Sequence, residues 1–345
     1  MLLASALATA FLIGAATTCT RSGPAPKAAF YYWKTGDKLN DADADLLQRL
    51  AVDTLYLRFF DLDWDAEKGQ LRVRAPFHSR GGYRPERVVP VVFITRSTLE
   101  HLARRDPDEP ARFLRDRVQA MLHASGISTI DEIQLDCDWE PRHRETYFAL
   151  IDAVRRTFDQ AFGDVHVSVT IRLYQLRHRT TAGIPPADSG ALMFYHTGSP
   201  RDFEETNAIL DNRVVKGYLR DAAGYPLPIQ AAYPTFSWAI QFTATKRFLR
   251  LVNEATLQDF DPTHFREEEP GLYRAITDHM LGRDQVAVGD YLRIQRVEPD
   301  QLRELVTETE KHFRPQSVLL FDYDRERIRR WLEADPQLFD RVFAR

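Results

Sequence analysis

The run Ile133-Gln134-Leu135-Asp136-Cys137-Asp138-Trp139-Glu140 sets three carboxylates at alternate positions. On a β-strand alternate residues share a face, so Asp136, Asp138 and Glu140 would stand in a row with a spacing of about 6.5 Å. Like charges this close raise at least one pKa. That is one way to keep a carboxyl group protonated near neutral pH, ready to act as a general acid. Glycosidic cleavage needs such an acid for the leaving oxygen and a second group for the oxocarbenium-like centre. The plainer reading is a structural acidic pair, with Glu140 simply opening the next helix.

Other apolar runs end in similar chemistry. One closes in Phe60-Asp61-Leu62-Asp63-Trp64-Asp65, another in Phe321-Asp322-Tyr323-Asp324, a third in Ile171-Arg172-Leu173-Tyr174-Gln175. A fourth runs through Tyr233 to Trp238, and His196 follows the run ending at Tyr195. Carboxylates accept hydrogen bonds from sugar hydroxyls, and aromatic faces cover the apolar face of a pyranose. Asp61, Asp63, Trp64, Trp139, Arg172, Tyr174, His196, Tyr233, Trp238, Asp322 and Asp324 are therefore candidate carbohydrate contacts. Arg172 is expected either to hold a neighbouring carboxylate ionised or to meet an anionic substrate. Asp61, Asp63 and Asp65 alternate, but without the glycine and terminal glutamate of a calcium loop. No metal site is assigned and no cofactor is expected, since neither a phosphate-cradling glycine loop nor a nucleophile elbow occurs.

These residues need elements to place them. Eight short β-rich runs, at 28–33, 54–60, 88–94, 132–139, 165–173, 191–195, 228–233 and 317–321, are almost continuously apolar, as strands buried on both faces are. Between them lie helical patterns. Asp41 or Asp43 would cap a helix carrying Leu46, Leu47 and Leu50. Phe113, Leu114, Val118, Met121 and Leu122 lie on one helical face, as do Phe148, Ile151, Val154, Phe158 and Phe162. Pro299-Asp300 opens a last helix. Alternation of strand and helix predicts a parallel α/β sheet, and eight repeats favour closure into a single (β/α)8 TIM barrel over an open doubly wound sheet. Long insertions follow strands two and seven. Residues 62–87 read as a long loop or hairpin, and residues 237–298 as several helices plus a short strand at 291–294. In such barrels the polar residues at the C-terminal ends of the strands form the site.

Leu135 to Glu140 resembles the fourth-strand Asp-x-x-Asp-x-Asp-x-Glu motif of the family 18 chitinases, carried on a (β/α)8 barrel. Leu192-Met193-Phe194-Tyr195-His196 is similar to the same family's sixth-strand Met-x-Tyr-Asp. The resemblance implies Glu140 as general acid, Asp138 as the carboxylate orienting the substrate's acetamido group, Asp136 as its buried supporter and Tyr195 as a further support. In that chemistry the acetamido oxygen is the nucleophile. The chain has Ile133 at the motif's first Asp, Gln134 at its Gly and His196 at the Asp after the Tyr, and the third strand is not glycine-rich. It also resembles uncharacterised bacterial lipoproteins with barrel domains.

The N-terminus reads as an export signal. Residues 1–18 are small and apolar, too short to span a bilayer comfortably, and lead to Cys19. The expected organisation is a lipoprotein signal at 1–19 with Cys19 lipidated, a linker at 20–27 and a barrel at 28–345. The protein would then be exported and held at a bacterial membrane by lipid alone, with secretion as the alternative. Only Cys19 and Cys137 occur, so no structural disulfide is expected. A net charge of -4, with arginines dispersed along the chain, gives no footprint for a nucleic-acid partner. Three functions follow. The first is an envelope glycoside hydrolase with Glu140 as acid. The second is a non-catalytic glycan-binding or scaffold lipoprotein, motivated by the departures from the motif. The third is a metal-dependent hydrolase using the Asp clusters.

Overall fold

The computed structural model describes residues 26–343, apart from 37, 80, 81, 84 and 253–259. The signal segment and Cys19 lie outside the described residues. Eight parallel strands close on themselves: β1 (Lys27–Tyr32), β2 (Thr54–Asp65), β3 (Arg87–Ile94), β4 (Glu132–Cys137), β5 (His166–Arg172), β6 (Ser189–Met193), β7 (Ile229–Pro234) and β8 (Ser317–Phe321). Each pairs with the next, and β8 pairs with β1 to complete a (β/α)8 barrel. The apolar runs make this possible, because one face of each strand fills the barrel and the other receives helices. Val89, Val91 and Val92 on β3 and Ile133 and Leu135 on β4 are fully buried. All strands run from one face, the floor, to the opposite face, the mouth, and β1 starts at the floor with Lys27.

Helices cover the outside. Arg144–Phe162 buries Tyr147, Leu150, Ile151, Val154 and Phe158, the i, i+3, i+4 stripe that faces a sheet. It stops at Gly163, whose φ of 91° suits a residue without Cβ. Asn40, rather than Asp41 or Asp43, caps Asp41–Arg49: its side chain accepts from the Ala42 N–H, while Asp43 accepts from the Asn40 N–H. Asp43 thereby takes the N3 place of a capping box with Asn40.

Both long excursions leave the barrel on the mouth side. After β2 the chain turns back through Gly69 and pairs antiparallel as Gln70–Arg74, so 62–87 begins as a hairpin. After β7 comes a five-stranded antiparallel sheet in the order Phe248–Val252, Ser237–Phe242, Tyr291–Arg296, Leu272–Ala275, Phe265–Glu269, with a small hairpin at His279–Leu281 and Asp284–Val286. This corrects the expectation of several helices between 237 and 298, none of which occurs among the described residues. The physical signals are the period-two alternation in Tyr291-Leu292-Arg293-Ile294 and the turns at Gly271, Gly282 and Gly289, all at positive φ. Val252, Phe260, Phe265 and Leu292 form this sheet's own small core.

Candidate active site

One edge of β4 builds the site from floor to mouth. Glu132, Gln134, Asp136 and Asp138 face the barrel interior in turn, and β5 answers with Ser168, Thr170 and Arg172. Near the floor, Glu132 Oε1 accepts from Tyr56 Oη at 3.0 Å and Ser168 Oγ at 2.7 Å, while its Oε2 meets Arg87 Nη2 at 2.8 Å. One layer up, Tyr31 Oη donates to Gln134 Oε1 at 2.7 Å. Thr170 Oγ1 donates to Asp136 Oδ1 at 2.7 Å. At the mouth, Arg172 grips both oxygens of Asp138, through Nε and through Nη2, the latter at 2.5 Å. Every buried polar group named here has a partner, as a low-dielectric interior demands.

The electrostatics of this ladder separate the three acids. Burial, and then the Asp138 charge, push the Asp136 carboxyl up to about 7, against the lowering effects of Thr170, Arg172 and Arg58. A protonated carboxyl therefore persists in the barrel near neutral pH. Glu140 behaves oppositely. The Arg96 Nη1–H meets its Oε1 at 2.7 Å and Arg142 Nε lies 3.0 Å from its Oε2. The hydrogen bond from Arg96 holds the Glu140 carboxyl below its ordinary range, with the Arg142 charge adding to the effect. Glu140 is thus ionised at the rim while Asp136 retains its proton inside.

Beside the acids stands an aromatic wall. Tyr195 is buried and stacks on Phe321, their centroids 5.2 Å apart. Phe321 also packs against Tyr31 and Trp33. Burial and the Asp136 charge raise the Tyr195 hydroxyl well above its ordinary value, so it stays neutral. His196 lies flat against Trp238, with centroids 5.7 Å apart and planes 5° from parallel. Burial, helped by the Arg172 charge, lowers the imidazole to about 4, so it is uncharged at neutral pH. The His196 backbone adopts a φ of 60°, a conformation unusual for a residue with a side chain.

The remaining predicted contacts divide. Asp61 is held by Arg58, which contacts both of its oxygens at 2.7 Å through Nη2 and lies over the Trp33 ring. Asp322 pairs with Arg327 at 3.3 Å, and burial raises its carboxyl. Asp324 caps the helix Arg325–Ala334 and meets Lys34 at 3.5 Å. Asp63 turns to the hairpin, where it bonds Arg72 and Thr95. Four of the candidate aromatics have their recorded contacts elsewhere than among the acids. Trp139, on the opposite parity to Asp138, packs on Tyr147 and donates to the Ala182 carbonyl at 3.0 Å. Tyr233 faces the helix Pro299–His312, bonding Thr309. Trp64 is buried between His101 and Arg105. Tyr174 is exposed on the short helix Leu173–Arg177 and stacks only on His178. Among the described residues no three His, Cys, Asp or Glu side chains gather as a metal site, because Asp61, Asp63 and Asp65 go to separate partners.

Several contributors to the mouth escaped the sequence reading. Arg58 was legible as a lone cation inside an apolar strand, and Thr170 as a hydroxyl at the parity of Arg172. Arg96 and Arg142 carried no comparable signal, since nothing local ties residue 96 to residue 140.

No family model and no curated protein sequence matches the chain. Among solved structures it is similar to the spore cortex-lytic enzyme SleL of Bacillus megaterium, with a TM-score of 0.56 and 10% identity over 93% of this chain and 75% of that one. The Bacillus cereus SleL gives 0.54 and 12% identity over the same shares. The chitinase-like agglutinin of Robinia pseudoacacia gives 0.54 and 11%, covering 92% of this chain and 98% of that chain. At these identities the likeness is one of fold alone, a (β/α)8 barrel.

Proposed function

We propose that the chain is an exported barrel that cleaves a glycan, with Glu140 as general acid and Asp138 and Tyr195 supporting the reacting sugar. The observation that carries this reading is the acidic run that leaves the end of β4, with Asp136 and Asp138 near Tyr195 and Glu140 beyond them at the rim. Asp136 supplies a buried protonated carboxyl beneath Asp138, so the two acids need not both be charged. Tyr195, Phe321 and Trp33 offer apolar surface for a pyranose face, and the neutral His196 and Tyr195 offer hydrogen bonds. Residues 1–18 and Cys19 motivate export and lipid anchoring, which would put the barrel among envelope glycans.

The test is hydrolysis of chitin-type, peptidoglycan and acidic glycans by the chain from residue 20 onward, beside Glu140→Gln. Loss of a general acid typically costs about 10²- to 10⁴-fold in turnover, and a fall of that size is expected. A variant as active as the parent on the same substrate would remove Glu140 from the mechanism.

A second reading has its own observation. Glu140 and Asp138 are each held by arginine through both oxygens, an arrangement suited to a barrel that binds a glycan without cutting it. The Robinia protein with this fold is described as an agglutinin. Saturable binding without turnover, unchanged in Glu140→Gln, would favour this alternative.

A further inference from the structure

The two arginines on Glu140 differ from the other guanidiniums of the mouth. Arg58 and its partner Asp61 are only 19% and 13% exposed, and Arg172, though 42% exposed, spends both Nε and Nη2 on Asp138. Arg96 and Arg142 stand at the rim with side chains 60% and 64% exposed. Arg96 gives Glu140 one N–H, from Nη1, and makes no other hydrogen bond among the described residues. Its remaining donors face open water. Arg142 is also held from the far side, its Nη2 lying 3.3 Å from Glu100 Oε1. Glu100 lies 3.7 Å from His143 Nε2 as well, and His143 Nδ1 accepts from the Glu140 N–H. The charged and titratable groups facing Glu140 are thus Arg96, Arg142, Glu100 and His143.

This is a carboxylate held by two guanidiniums in a place where another carboxylate can reach them. A guanidinium binds any carboxylate through the same planar fork. Ion pairs between exposed partners contribute little net stability, so Glu140 can leave them at little cost. Glu100 keeps Arg142 in place while Glu140 leaves.

We propose that Arg96 and Arg142 form the recognition point for a carboxylate carried by the glycan, and that seating this carboxylate releases Glu140 from its ion pairs. The proposal rests on the reading of Glu140 as acid and supplies what that reading lacks. Glu140, no longer paired with guanidinium, rises out of its lowered range and binds a proton more readily than it does in the ion pairs. The substrate class is then an acidic glycan. The carboxylate can belong to a uronic acid or to the lactyl ether of a muramic-type sugar.

The experiment is calorimetric binding of uronate-containing and muramic-type oligosaccharides, each beside its carboxyl-reduced or amidated counterpart. The full chain is compared with Arg96→Gln, Arg142→Gln, the double variant and Glu140→Gln, with Arg156→Gln as a distant charge control. The parent is expected to prefer a carboxylate form by about tenfold, the worth of a charge-assisted pair. The double variant should bring that ratio near one, leave the neutral form's affinity unchanged and match the parent's fold by circular dichroism. Which of the two acidic series shows the preference identifies the source. At pH 4.5 the parent should take up part of a proton on binding the acidic form, measured in buffers of different ionisation heat, and Glu140→Gln should not. A ratio near one in the parent, a ratio retained in the double variant, or equal proton uptake in parent and Glu140→Gln would each overturn the proposal. If all proteins lack turnover while the ratios and proton uptake behave as stated, the hydrolase reading falls and the recognition point stands.

Discussion

Asp136, on β4, and Glu140, just past its end, are four positions apart, yet their surroundings drive them in opposite directions, and that difference has a measurable cost. The folded-state pKa of Asp136, about 7, exceeds its unfolded value of about 3.9. Its contribution to stability is therefore fully present below the unfolded pKa and is lost as pH rises through 7. The amount is on the order of 2–4 kcal/mol. Asp136→Asn keeps an oxygen for Thr170 and removes the titration. Denaturant unfolding at pH 5 and pH 8 should show the parent losing more stability across this interval than the variant does; parallel losses would mean that Asp136 ionises freely. Alternation in 133–140 made the row itself legible. What sets each pKa was not, because Thr170, Arg172 and Arg96 reach these acids from distant parts of the chain.

The same alternation carries information about elements. Trp139 lies between Asp138 and Glu140 and so must point the other way, toward the helix Arg144–Phe162, where it is 2% exposed. Its residue type suggests a sugar platform, whereas its parity and burial point to packing. Trp139→Ala should lower unfolding free energy by about 3–5 kcal/mol, as for other buried aromatics, while the protein that remains folded binds glycan with unchanged affinity. A selective loss of binding at unaltered stability would return Trp139 to the site. All eight barrel strands were legible because doubly buried strands are written as unbroken apolar runs. Of the sheet after β7 only the strand at 291–294 was legible, since the others are short, half-exposed and rich in charge, as in Phe265–Glu269 with Arg266, Glu267, Glu268 and Glu269. Its turn glycines were the better guide.

At the scale of the molecule, one buried side chain of the inserted sheet helps to join it to the barrel. Gln295, 2% exposed, accepts from Trp238 Nε1 at 2.8 Å and from the Ala208 N–H at 3.1 Å, and donates to the Glu205 carbonyl at 3.0 Å. It ties the sheet to the loop that follows His196. Gln295→Leu should speed amide exchange in residues 205–210 by at least about tenfold, the loss of one to two hydrogen bonds, while exchange in the barrel strands stays as it was. Uniform acceleration would instead mark Gln295 as part of the global core. The direction of β1 sets the orientation of the whole. Lys27 enters at the floor, and the polar plug of Tyr56, Arg87, Glu132 and Gln230 lies just above it. Whatever precedes residue 27 therefore joins the barrel at the pole opposite Glu140. Were the chain tethered there, as proposed, its opening would turn away from the surface that holds it and would meet polymers across the intervening space rather than lipid beneath its feet.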